Sequence, residues 1–199
     1  MSTAVVFSRF ERFWHWTQAV LVSGLGVTGF TVHGSISFLD WGMAANTHTL
    51  LAWALMILWA FAIFWHLITG EWRQYAPTTE GLGAVARYYL IGIFQPAVHH
   101  PYRKRRVAKH NPLQRLAYLF LDLVIAPAIW LSGLVYMYRD EIGGLLGATP
   151  SLATVAFVHV AAAFLMLTFV IAHVYMAFTG KPWWDYPASM ITGRAEVVD

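Results

Sequence analysis

Four long apolar runs, at about residues 13–31, 46–68, 113–138 and 151–178, decide what this 199-residue chain can become. Each lies near the ~20 residues that carry an α-helix across a bilayer. In hydrocarbon, backbone N–H and C=O groups must be satisfied within the protein, and for runs of this length the helix does so alone. The expected fold is therefore all-α: a single domain over 1–199, built as an integral-membrane four-helix bundle. Composition agrees, with 58% hydrophobic and only 12% charged residues, about half the charged fraction of a soluble domain. The first run could be mistaken for a secretory signal. It contains His15 and several aromatics and lacks a small-residue cleavage site, so it reads as a retained helix.

The segments between the runs carry the punctuation. Residues 1–12 read as a short interfacial lead with Arg9 and Arg12, followed by Trp14 and Trp16 at headgroup level. His33–Ala45 reads as a loop. Gly70–Asn111 is the longest polar connection, and within it Leu82, Val85, Tyr89 and Ile93 fall at helical spacing. That pattern predicts a helix lying on the membrane surface over Glu80–Phe94. Pro127 predicts a kink in the third helix, because proline lacks an N–H and clashes with the preceding turn. RDEIGGLLGATP reads as a loop, and Ser151 as the cap of the fourth helix. The tail holds Lys181, Trp183 and Trp184, and no internal sequence repeat is visible.

Charge sets the expected topology. Arg9, Arg12, Arg73, Arg87, Arg103, Lys104, Arg105, Arg106, Lys109, Arg115, Lys181 and Arg194 share the side of both termini, and Arg139 alone falls opposite. The positive-inside rule then puts both termini in the cytoplasm, as in a bacterial inner-membrane protein. The run Arg103–Arg106 reads as a topology and anionic-lipid determinant, and no nucleic-acid partner is expected. Absence of cysteine excludes disulfides, thiolate-held iron–sulfur clusters and cysteine nucleophiles from this chain.

Histidines inside a membrane are read as functional by default. His159 and His173 lie 14 residues apart on the fourth helix, roughly 21 Å of rise and close to whole turns, so both project from one face. Depth gives two level pairs: His48 with His159 near the outer side, and His15 with His173 near the inner side. Opposed imidazoles from separate helices suit the two axial positions of a haem iron. A rival set pairs the second helix through His48 and His66, but their 18-residue separation is roughly 27 Å and mismatches the other helix by ~6 Å. His66 then either bonds to a neighbouring helix or reaches a haem propionate. His33, His99, His100 and His110 lie in loops or at interfaces. Asp122 reads equally as a proton-handling residue or as one hydrogen-bonded within the bundle.

RFERFWHWTQA, NTHTLLAWA, KHNPLQRLAY and VHVAAAFLMLTFVIAHVYMAF, with the 14-residue spacing in the last, carry a resemblance over nearly the whole chain. The sequence resembles the membrane cytochrome b (gamma) subunit of respiratory formate dehydrogenases and the related subunits of hydrogenases and thiosulfate reductases. The resemblance implies two haem b groups, one held by His15 and His173 and the other by His48 and His159. It also implies a quinone site, for menaquinone or ubiquinone, at an Asn-x-Gly-Gln segment, here Asn111, Pro112, Leu113 and Gln114, with His110 beside it. Leu113 stands where that family has glycine. Read without the resemblance, Asn111-Pro112 is an ordinary helix start.

The function expected from these readings is a membrane anchor and electron wire rather than a stand-alone dehydrogenase. An iron–sulfur subunit and a catalytic oxidoreductase subunit on the outer face would exchange electrons with a quinone near the cytoplasmic side. The rivals are a free-standing cytochrome b serving a diffusible acceptor, and a haem-free anchor.

Overall fold

A computed structural model describes residues 2–95, 97–102, 108–180 and 182–198. The basic run Arg103–Arg106 and Lys181 lie outside the described residues. The chain packs as two compact units, one of Met1–Ala76, Arg103–Lys109 and Lys181–Asp199, the other of Pro77–Tyr102 and His110–Gly180.

The first unit is a helical hairpin with a small sheet. Helix α1 spans Arg9–Val32 and α2 spans Trp41–Thr69, and the two pack together. Each begins where a side chain captures free N–H groups. Ser8 Oγ accepts the Glu11 N–H at 3.2 Å while Glu11 Oε2 accepts the Ser8 N–H at 2.7 Å, a reciprocal capping box. Asp40 Oδ2 accepts from Gly42 and Met43. These caps start both helices several residues before their apolar runs, so the loop between them is shorter than expected. Gly70, at φ 77°, ends α2 in the left-handed conformation, and a short 3₁₀ turn, Glu71–Tyr75, follows.

The lead and the tail are not merely interfacial. Strand β1, Ser2–Val5, pairs antiparallel with β2, Arg194–Val197, in the register Ser2–Val197 to Val5–Arg194. Ala4, Val6, Phe7, Ala195 and Val197 form a small apolar core beneath it, joined by Met190. The ammonium of Lys109 lies 2.8 Å from Glu11 Oε1 and 2.8 Å from Glu71 Oε2. Its backbone N–H donates to Gln74 Oε1 at 3.0 Å.

In the second unit the expected surface helix is present as α3, Leu82–Leu90, followed by a 3₁₀ turn at Gly92–Phe94. The third apolar run becomes α4, Pro112–Phe120, then a π turn at Leu121–Ile125, then α5, Ala126–Met137. The kink expected at Pro127 is thus taken up as a widened turn just before it. Residues in a π turn need no i−4 partner, so the missing proline donor is absorbed locally. Asp122 sits in that turn with its side chain exposed, and it makes no hydrogen bond among the described residues, unlike the bonded alternative. RDEIGGLL, expected as loop, forms helix α6 over Arg139–Leu146, ended by Gly147 at φ 73°. Helix α7, Leu152–Ala177, begins at the Ser151 cap as expected and packs on α5. Helix α8, Asp185–Thr192, belongs to the first unit and leads into β2.

Three stretches, Trp41–Thr69, Pro112–Met137 and Leu152–Ala177, are helices long and apolar enough to cross a membrane. The chain is therefore an all-α membrane protein carrying one two-stranded sheet. Helix α1, diluted by Glu11, His15 and Gln18, falls below that apolarity.

Candidate functional site

His48 lies in the second turn of α2, facing α1. Its Nδ1 is 3.0 Å from Thr28 Oγ1. The Thr28 hydroxyl already gives its one proton to the carbonyl of Gly24 at 2.8 Å, with Leu25 O at 3.3 Å. It can only accept from His48, so the ring proton sits on Nδ1 and Nε2 is the ring's acceptor nitrogen, the one able to ligate a metal.

The second unit repeats this arrangement. His159 lies in the second turn of α7, facing α5, and its Nδ1 is 3.0 Å from Ser132 Oγ and 3.1 Å from the carbonyl of Ile129. A carbonyl only accepts, so Nδ1 again carries the proton. The Ser132 hydroxyl in turn donates to the carbonyl of Ala128, and Ile129 O lies 3.1 Å away.

Glycine follows the hydroxyl residue in both places. A Cβ built on Gly29 would meet His48 Cε1 at 3.1 Å, and one on Gly133 would meet His159 Cε1 at 3.2 Å. Both distances are tighter than ordinary contact, so each glycine is what lets its imidazole lie flat against the neighbouring helix. Sequence reasoning found the two histidines but not these partners. The signal was there, as Thr28-Gly29 and Ser132-Gly133 at the ends of consecutive hairpins, but two-residue pairs so far apart do not register as a repeat.

The remaining candidates are dispersed over both units. In the first, His15 is half-buried beside Trp16, with ring centres 5.1 Å apart. His66 is buried, donates Nδ1–H to the carbonyl of Ala62 at 2.7 Å, and packs on Trp14, Trp65 and Tyr75. Its Nε2 has no partner among the described residues. His66 is thus held in the same protonation state as His48, a feature its sequence position did not reveal.

In the second unit, rings connect two expected site residues. His110 meets Tyr118 at 5.2 Å, Tyr118 meets Phe169 at 6.3 Å, and Phe169 stacks on His173 at 6.0 Å and 9°. Asn111 and Gln114 form a reciprocal capping box at the start of α4. Asn111 Oδ1 accepts the Gln114 N–H and Gln114 Oε1 accepts the Asn111 N–H, both at 2.9 Å. Asn111 Nδ2 reaches Tyr89 Oη at 3.4 Å, and Tyr89 Oη lies 3.1 Å from His100 Nε2. Burial holds the His100 imidazole below its ordinary pKa, opposed by a backbone bond to Tyr102. His100 lies outside the helices, as expected, and is part-buried between Tyr88 and Tyr89.

Membrane-length helices that carry His48 and His159, each with its Nδ1 against an oxygen of a neighbouring helix and a glycine clearing its ring, fit axial ligation of haem and define a membrane cytochrome b. The chain belongs to the prokaryotic cytochrome b561 family, whose model matches residues 6–193. It is also similar to the protein described as "Putative cytochrome YdhU" of Escherichia coli (strain K12), at 25% identity over 193 residues, covering 94% of this chain and 73% of that one. The protein is therefore a membrane electron-transfer protein of the cytochrome b561 type, and its family implies haem b. The family matched is this one and not the formate dehydrogenase type that the motifs suggested.

Proposed function

We propose that the protein is a di-haem electron conduit between a partner on the outer face of the bacterial inner membrane and a quinone near the cytoplasmic side. The observation that carries this reading is the state of His48 and His159. Each has its Nδ1–H held by an oxygen of the helix it packs on, the tautomer in which Nε2 is the nitrogen able to ligate iron. Haem b supplies an iron that takes up and releases one electron at a time. In this reading His48 and His159 hold the outer haem, and His15 and His173 the inner one. The protein sets their spacing, their orientation and the low-dielectric surroundings.

The terminal sheet supports the topology. Residues 2–5 pair with 194–197, which puts both ends of the chain on one face. An even number of crossings would suit that pairing. Three helices qualify on apolarity alone, and in this reading α1 is taken as the fourth, with its histidine and glutamine in the bilayer as site residues. The ring series from His173 to His110 supports an electron exit toward Asn111 and Gln114, where a menaquinone or ubiquinone would bind. Among the described residues the Gln114 side-chain nitrogen stays uncommitted by the cap. The partner would be an iron–sulfur subunit attached to a catalytic oxidoreductase subunit.

Purified protein should show a reduced cytochrome b α-band and two haem b per chain by pyridine haemochrome. His15→Ala and His173→Ala should lose one and the same haem, and His48→Ala and His159→Ala the other. A single haem, or pairs that divide differently, refutes the assignment. Copurification of further subunits separates this reading from a free-standing cytochrome b.

A further inference from the structure

We infer that Thr28 and Ser132 are positioning residues that fix the rotation of the two outer ligands and set how strongly each donates to iron. This rests on the reading of His48 and His159 as haem ligands. A Thr or Ser inside an apolar helix needs only its own i−4 carbonyl to be satisfied, and both residues have that bond. Neither helix needs the further 3.0 Å contact to a histidine. Because each hydroxyl proton is committed to a carbonyl, the oxygen is an obligate acceptor. It holds the ring proton on Nδ1 and cannot stabilise the other tautomer, alone at His48 and together with the Ile129 carbonyl at His159.

The same two-residue device, a buried hydroxyl followed by glycine, occurs on hairpins with otherwise dissimilar sequences. Its distances match within 0.1 Å, both in the hydroxyl contact and in the glycine clearance. An accident of packing would not reproduce both. Accepting the Nδ1–H makes Nε2 more electron-rich, which favours ferric over ferrous iron and lowers the haem potential.

The test is a potentiometric titration of the α-band of the purified holoprotein. Thr28→Val and Ser132→Ala remove the oxygen, and Thr28→Ser and Ser132→Thr keep it. Thr28→Val should raise the midpoint potential of one haem by about a tenfold shift toward the ferrous form, or ~59 mV for one electron, and Ser132→Ala should raise that of the same haem by less, because the Ile129 carbonyl still accepts from His159 Nδ1. The hydroxyl-retaining variants should restore it. Unchanged potentials in Thr28→Val and Ser132→Ala at full haem content overturn the inference, as does a shift in two different haems. If a hydroxyl-free variant loses haem, retention by its hydroxyl-keeping counterpart supports the role, and loss in both refutes it. Wild-type protein without haem b, or a His48→Ala variant that keeps every haem, sinks the ligand reading itself and the inference with it. Haem lost in His48→Ala but blind to Thr28→Val sinks the positioning role alone.

Discussion

Replacing Lys109 with methionine tests what holds together the end of the first unit where α1 begins and α2 ends. Lys109 bridges Glu11 and Glu71 at 2.8 Å each, with 6% of its side chain exposed, against 7% for Glu11 and 31% for Glu71. Removing the ammonium leaves two carboxylates facing each other. Glu71 is exposed enough to turn toward water, but Glu11 is not, since its other oxygen is tied to the Ser8 N–H. Stranding one buried charge costs ~3–5 kcal/mol. Glu11→Gln should cost much less, because glutamine keeps the capping box and leaves Lys109 paired with Glu71. Adding Glu11→Gln to Lys109→Met should then recover most of the loss, as coupled residues are non-additive. The assay is unfolding of the detergent-solubilised protein, followed by helical circular dichroism across the three variants. A Lys109→Met cost below ~1 kcal/mol, the value of an exposed ion pair, or a double variant worse than the single, would refute the reasoning.

Gly133→Val should push the His159 ring away from α5, since even a Cβ there would lie 3.2 Å from Cε1, and haemochrome content should fall by one haem per chain. His66→Ala should keep both haems, and loss of one would move His66 into the ligand set. Asn111→Ala should destabilise the start of α4 by ~1 kcal/mol through loss of the cap. If the residue also serves a quinone, haem reduction by a quinol should slow while reduction by dithionite is unchanged. His100 is held neutral in the folded protein, with its pKa below the ordinary 6.5. The unfolded chain therefore binds more protons as pH falls through about 6.5. The stability His100 contributes is full above that value and is lost as pH drops toward the folded pKa. The hydrogen-exchange protection factor at Tyr102 should fall below pH 6.5 in the wild type and be flat with pH in His100→Gln.

The helices were legible because membrane burial writes itself into long stretches of composition. All four apolar runs are helical within a few residues of their expected ends, and Ser151 caps α7 as its sequence indicated. What was not legible depends on partners remote in sequence. Val5 and Val197 lie in short tetrapeptides with no turn between them, so nothing local announces that they share a sheet. Lys109 looked like one more member of a basic run, and only folding brings it against Glu11 and Glu71 from two other segments. RDEIGGLL carries two glycines and three adjacent charges, a loop composition, yet it forms a helix stopped by Gly147. The same division runs through the site. His48, His159 and His173 declared themselves as costly residues in apolar helices, while Thr28, Gly29, Ser132 and Gly133 are unremarkable until the hairpins close.

That division has a physical source. A ligand must be an unusual residue for its surroundings, because imidazole in hydrocarbon is unfavourable unless it is used. The group that orients it has no such constraint. Serine, threonine and glycine are common in membrane helices, where they allow close approach and return their own hydrogen bonds to the backbone. They can therefore take on a second function without leaving any mark in composition. In this protein the hydroxyl oxygens of Thr28 and Ser132 each have room for one more donor after that return bond, and the glycine beside each admits a ring that supplies it. On the proposed ligand assignment, the tautomer that iron ligation requires is thus set by residues suited to packing, on both hairpins, before any cofactor arrives.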